Sequence, residues 1–202
     1  MKYKILTKSK KFYWTINSRI YTILLFTFLP VFIKLNLFKN QNVTFFDKTL
    51  FVISICTILF GFAIRLLRFN KYKTLKGELI SELEFLEDKI IIGDKQYSLE
   101  DIQKIEINAF DFKGLIIYSK GDLDGNLSNG VDNLLKIYLA NQNKIEINFQ
   151  QIVKNEIRND EENLISYCNQ NKLHYLNLLE IMGINNYDEI QKFKKEKLIN
   201  YN

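Results

Sequence analysis

The sequence predicts a membrane-anchored α+β protein: a two-helix transmembrane hairpin, then a small antiparallel β-barrel or sheet, then C-terminal helices. Three observations carry this. Residues 20–33 and 50–64 are apolar runs without a charge, separated by a short polar turn. From Gly77 onward apolar residues recur at every second position, the period of a half-buried strand. From residue 159 they recur at helical spacing.

Residues 1–19 read as a basic arm carrying Lys2, Lys4, Lys8, Lys10, Lys11 and Arg19. A secretory leader has the same order of charge and apolar run, but it ends in small residues. Here the run continues through Pro30, Val31, Phe32 and Ile33, which favours an uncleaved anchor. The hairpin itself spans 20–67, with helices expected at 20–38 and 49–67, each near the length that crosses a bilayer. Lys34 and Arg65 fall close to helix ends, where their long stems reach the headgroup layer. Pro30 is expected to kink the first helix without ending it. Gly61 is the single glycine of the two runs, so no glycine dimerisation motif is present. The competing reading is a hairpin buried in a soluble core; the runs have no polar face, which disfavours it.

Charge orients the hairpin. Residues 1–77 hold 14 Lys and Arg against one acid, Asp47, a net of +13. Residues 78–202 hold 14 Lys and Arg against 22 acids, a net of −8. Arg68, Lys71, Lys73 and Lys76 follow the second run, whereas the turn has only Lys39, Lys48 and Asp47. The positive-inside rule then puts both termini in the cytoplasm, at the plasma membrane, with the lipid bilayer as a partner. Tyr13, Trp14, Phe69 and Tyr72 are expected at the interface as aromatic anchors. The positive charge belongs to the membrane flanks and the soluble part is acidic, so nucleic acid is not expected as a partner.

The β part is expected over 77–158. Leu79, Leu83 and Phe85 interleave with Glu82 and Glu84; Ile105 and Ile107 continue the pattern, as do Leu135 and Ile137, and Ile145 and Ile147. Gly93-Asp94 and Asn141-Gln142-Asn143 read as turns. Short strands with short turns predict an antiparallel sheet with one buried face. The pentapeptide Lys-Ile-Glu-Ile-Asn occurs at 104–108 and at 144–148, which reads as two amphipathic edge strands with the same composition. Residues 159–202 read as helices: Asn159 with Glu162 as a cap, an apolar stripe from Leu164 to Met182, Gly183 as a stop, and Asn186 as a further start. Lys192, Lys194, Lys195 and Lys197 then form a solvated end that complements the helix dipole.

The strand over 78–86, the next over 89–92, and the run Tyr97-Ser-Leu-Glu-Asp-Ile102 leading into 105–108 resemble the bacterial membrane proteins that carry a pleckstrin-homology-like (PH-like) domain. The resemblance covers roughly 77–171. It implies a seven-stranded, partly open barrel plugged at one end by a helix, which binds proteins, peptides or lipid headgroups and rarely catalyses. The chain departs from it in its long 119–133 loop and its additional C-terminal helix. It also has only Lys89 and Lys95 where headgroup-binding members have a basic cluster.

Candidate chemistry is sparse. Asp122, Asp124 and Asn126 match the first ligand positions of a calcium loop, with Asn129 nearby. The match fails at Leu127, where glycine is needed, and at Asn133, where a bidentate glutamate is needed. A polar loop that contacts a partner or ligand is the favoured reading, and no metal or cofactor is expected. Cys56 and Cys168 make no disulfide scaffold, and His174 stands alone. Glu84, Glu87 and Asp88 are placed on a solvated strand edge. A non-enzymatic tether or scaffold is therefore expected, recruiting a protein partner or a second copy. The exposed barrel edge around Ile147 and the 119–133 loop are its contact surfaces. The alternatives are a lipid- or small-ligand-sensing module and an oligomeric channel subunit.

Overall fold

The period-two alternation starts earlier than Gly77. In the computed structural model, which describes residues 1–9, 13–37, 42–118 and 123–198, Lys2–Lys8 is already a strand, β1. Tyr3 and Ile5 point into the core, 1% and 5% exposed, while Lys2 and Lys4 face out. The expected basic arm is thus in part a sheet strand. Its lysines alternate with apolar residues, and two buried side chains outweigh the solvated lysine heads. Lys10 and Lys11 lie outside the described residues.

Two helices follow, α1 (Ile16–Leu37) and α2 (Phe45–Leu67). The strands are β2 (Gly77–Phe85), β3 (Lys89–Ile92), β4 (Lys95–Ser98), β5 (Ile102–Asn108), β6 (Lys113–Ile116), β7 (Leu127–Asn129), β8 (Asn133–Leu139) and β9 (Lys144–Phe149). A 3₁₀ turn (Glu156–Asp160) leads into α3 (Glu161–Asn169), α4 (Tyr175–Met182) and α5 (Tyr187–Lys197). The chain divides into two units. One is Met1–Ser9, Leu75–Leu115 and Ser128–Asn202; the other is Lys10–Thr74 with Ile116–Leu127.

The first unit is an α+β sheet domain. Its seven strands run in the order β4-β3-β2-β1-β9-β8-β5, with antiparallel neighbours. β1 is therefore central, with Lys8 opposite Gly77 and Ile5 opposite Phe149. The whole α1–α2 hairpin is inserted between two neighbouring strands of one sheet. The core face carries Tyr3 against Phe85 and Phe149, with ring centroids 5.9 Å and 5.5 Å apart in edge-on geometry. α3 covers it with Leu164, Tyr167 and Cys168, and α4 with Leu178, Ile181 and Met182. Burial pushes the Cys168 thiol up, away from its reactive form.

The turns follow from local chemistry. Gly93 takes φ 58 between Ile92 and Lys95, where a two-residue hairpin needs a positive φ. Gln142 takes φ 65 in the β8–β9 turn, supported by Asn143 N–H donating to Asn141 Oδ1 at 3.1 Å. Gly183 ends α4 at φ 67 and Asn186 caps α5. The helix expected to start from Asn159 is instead preceded by Asp160, whose carboxylate makes no cap bond. That carboxylate is 3% exposed and accepts from the Tyr3 hydroxyl at 2.6 Å, a contact 157 residues apart in sequence.

The two Lys-Ile-Glu-Ile-Asn pentapeptides lie on either side of β8, in register. Glu106 and Glu146 both face Lys136, Lys104 and Lys144 both face Tyr138, and Ile105 and Ile145 both face Ile137. Equivalent neighbours on one shared strand select the same residues. Lys104 and Lys144 stand 5.8 Å and 5.7 Å from the Tyr138 ring centre. Hydrogen bonds from Lys104 and Lys144 hold the carboxyls of Glu106 and Glu146 below the usual range. β9 is not an edge strand, however; Ile147 sits between β8 and β1's side of the sheet.

Candidate membrane interface

The second unit is built on the hairpin. Ile16–Asn36 and Phe45–Leu67 are long and apolar enough to cross a membrane, with mean hydropathies of 1.6 and 2.4. Only 11% of each apolar window is buried inside the protein, far less than a core helix requires. Phe26, Phe60, Phe62 and Leu67 are all more than half exposed.

The hairpin closes along one seam. The less exposed positions of α2 are Asp47, Leu50, Ser54, Thr57, Gly61 and Ile64, alternating steps of three and four. On α1 the less exposed positions beyond the first turn are Ile20, Thr22, Leu24, Thr27, Val31 and Lys34, of which all but Thr22 step by three and four. This is the heptad spacing of a left-handed helix pair. Ser54 Oγ donates to Thr27 Oγ1 at 2.8 Å across the seam, and Gly61 lets Ile20 approach. At the turn end Thr44 and Asp47 form a capping box, and Lys34 forms an ion pair with Asp47. Lys34 therefore has a partner on α2. Pro30 lies inside α1, which runs on through it.

At the other end, Arg19, Arg65 and Lys71 are exposed, Arg68 and Lys73 half-buried. Tyr13, Trp14, Phe69 and Tyr72 are exposed beside them. Onto this end folds an arm of which residues 116–118 and 123–127 are described. Asp124 accepts from Thr74 N–H at 2.9 Å, from Thr74 Oγ1 at 3.0 Å and from Arg68 at 3.3 Å. Leu127 N–H donates to Lys71 O at 3.0 Å and Lys73 N–H donates to Leu127 O at 2.8 Å, so the arm pairs with the α2 exit as a strand would. Gly125 is required here: a Cβ would fall 2.1 Å from Lys71 O.

Asp124 of the expected polar loop thus acts as a clamp, facing Arg68 and Thr74. Asn126 instead accepts from Ile117 N–H at 2.7 Å through its carbonyl, and Asn129 offers its own to Gln150 at 2.8 Å. Asp122 lies outside the described residues. Among the described residues no cluster of three His, Cys, Asp or Glu side chains could hold a metal. Arg68 and Asp124 were each legible as charged residues; their pairing across 56 positions had no local signal.

In the sheet domain one edge is already taken. Ile105 N–H on β5 donates to Lys172 O at 2.7 Å, and the Asn177 side chain bonds both the N–H and the C=O of Ile107, at 2.9 Å and 2.7 Å. Asn177 imitates a neighbouring strand. Beside it a groove of about 440 Å³ is lined by Lys104, Glu106, Asn108, His174 and Glu180. His174 caps α4, its Nδ1 accepting from Leu176 N–H at 3.3 Å. The opposite edge, β4, has no strand partner on its outer side among the described residues. No family model, curated protein or solved structure matches the chain.

Proposed function

We propose that this chain is a non-enzymatic integral membrane protein, in which the α1–α2 hairpin anchors a cytoplasmic, PH-like sheet domain that tethers a protein partner or a second copy. One observation carries the reading: the hairpin joins β1 to β2, adjacent antiparallel strands of a single sheet. Both ends of such an insertion belong to the same side of the membrane, and the domain is bound to it through two covalent links. Seven antiparallel strands with α3 packed on the core support the PH-like assignment. The basic residues at the α1 and α2 ends support cytoplasmic placement at the plasma membrane. Tethering raises the local concentration of whatever the domain binds.

β4 is the strand edge available for a partner. In a two-residue hairpin the pair flanking the turn is hydrogen-bonded, so Gln96 turns its backbone groups outward, whereas the Ser98 carbonyl already accepts from Asp101 N–H at 3.1 Å. The test has two parts. With Cys56 and Cys168 replaced, a cysteine at Val43 is expected to react with an impermeant maleimide in intact cells, and one at Gln96 only after lysis. The reverse pattern would overturn the orientation. Crosslinking of the full-length protein with mass spectrometry then names the partner, and Gln96→Pro is expected to weaken capture while leaving the sheet folded. Undiminished capture would remove β4 from the reading.

The groove beside β5 favours a second reading, a ligand-sensing module. It brings both charge signs together, which suits a small zwitterion. Thermal stabilisation of the full-length protein by such compounds, lost in Glu180→Gln, is the expected sign.

A further inference from the structure

We infer that residues 116–118 and 123–127, the described part of the arm, are a third membrane-contacting element, seated in the headgroup layer of the bilayer. The inference rests on the hairpin spanning that bilayer. The arm touches both helices: Leu123 N–H donates to Asn17 Oδ1 of α1 at 2.8 Å, and Asp124 holds Arg68 at the end of α2. Leu123 also reaches inward. Its Cδ1 lies 3.8 Å from the position a Cβ would take on Gly61, beside Ile20. Gly61 is four residues, about 6 Å along the helix axis, to the apolar side of Arg65. Leu123 therefore carries an apolar side chain past the charged ring, as a wedge at the base of the seam.

The rest of the arm has the composition of an interface. Tyr118 is 78% exposed and Ile116 49% exposed. Both belong to the same unit as Trp14, Phe69 and Tyr72, the exposed aromatic residues at this end of the hairpin. Tyrosine and tryptophan gain most where a ring meets acyl chains and its polar atom meets water. Pairing with Asp124 neutralises Arg68, while Arg19, Arg65 and Lys71 stay exposed to attract anionic headgroups. An aqueous loop would gain nothing from displaying Tyr118 and Ile116; an interfacial one buries them in lipid.

The experiment uses the full-length protein in vesicles of phosphatidylcholine with a minor share of phosphatidylglycerol. Trp14→Phe removes the single native tryptophan. Single reporters are then placed by Tyr118→Trp on the arm and Phe60→Trp in the apolar stretch of α2. The residue-118 reporter is expected to emit to the blue of tryptophan in water and to be quenched by lipids brominated near the headgroup. Lipids brominated in mid-chain are expected to quench the residue-60 reporter. Quenching at 60 with none at 118 overturns the inference and leaves the anchor standing. No quenching at either position removes the anchor and the inference together.

Discussion

Asp124→Ala is the sharpest perturbation of the clamp between the arm and the hairpin. It deletes one carboxylate that accepts from Thr74 N–H at 2.9 Å, Thr74 Oγ1 at 3.0 Å, Arg68 at 3.3 Å and its neighbour Gly125 N–H at 3.0 Å. The carboxylate is 15% exposed and Arg68 34%, so the charged contact is partly screened. Hydrogen bonds involving a charged group contribute about 1.5–3 kcal/mol and neutral ones about 1 kcal/mol. With screening, and with water replacing part of the loss, the net is about 2 kcal/mol. At a factor of ten per 1.4 kcal/mol, arm opening becomes about 30-fold more frequent. Amide hydrogen exchange in lipid nanodiscs reads this directly at Leu123, Lys73 and Leu127, whose N–H groups bond Asn17, Leu127 and Lys71. Exchange at all three is expected to accelerate together, while core amides such as Leu83 and Leu135 stay unchanged. Asp124→Asn keeps an acceptor for Thr74 and is expected to fall between. Unchanged protection at Lys73 and Leu127 in Asp124→Ala would show that the backbone pairing alone holds the arm, and the clamp argument would fail.

Three further outcomes follow from local geometry. Gly61→Ala is expected to be tolerated, because its Cβ would meet Ile20 at 3.7 Å, whereas Gly61→Leu should separate the helices, read as lost energy transfer between dyes at the two helix ends. Asn177→Ala leaves Ile107 without partners for its N–H and C=O and should lower stability by about 2 kcal/mol in urea titration, with fast exchange at the Ile107 amide. Burial, and then Asp160, push the Tyr3 phenol above its ordinary value of about 10. The folded state thus favours the proton; this stability is complete below pH 10 and is lost as pH rises beyond it, so Tyr3→Phe should flatten the alkaline limb of the stability curve and leave the part due to Tyr167.

What was legible in the sequence was whatever is local. The apolar runs, the Gly93 and Gln142 turns, the Gly183 stop and the Asn186 cap are each decided within a few residues, and each is where patterning puts it. β1 was missed because five lysines within the first eleven residues resemble a membrane flank, and the pattern of Tyr3 and Ile5 is only two apolar residues long. The helices begin earlier than the apolar runs, α1 at Ile16 and α2 at Phe45, since Arg19 in α1 and Asp47-Lys48 in α2 interrupt the runs. The clamp at Asp124, the ion pair of Lys34 with Asp47, and the Asn177 cover on β5 all join residues from separate elements. A side chain's partner across a fold leaves no periodic trace, so composition alone read the 119–133 segment as an open polar loop.

The insertion of the hairpin also decides how the sheet domain can be handled. A fragment beginning at Gly77 looks like the natural soluble piece, yet it lacks the central strand. Removing β1 exposes the cavity left by Tyr3 and Ile5, which at full burial are worth about 5 kcal/mol together. It also unpairs the β1-facing sides of β2 and β9. That loss rivals the whole stability of a domain this size, about 5–15 kcal/mol, and it opens two strand edges to aggregation. Residues 77–202 alone should therefore be insoluble or unfolded by circular dichroism. Joining Met1–Ser9 to Leu75–Asn202 through a short glycine linker should restore a cooperative transition, because Lys8 already faces Gly77 and Ser9 N–H already donates to Lys76 O at 3.2 Å. The linker replaces a connection of some 65 residues, which lowers the loop-closure entropy by about 1–2 kcal/mol. A cooperative fold for residues 77–202 without β1 would mean the sheet closes by another route, and the single-sheet argument for same-side termini would lose its basis.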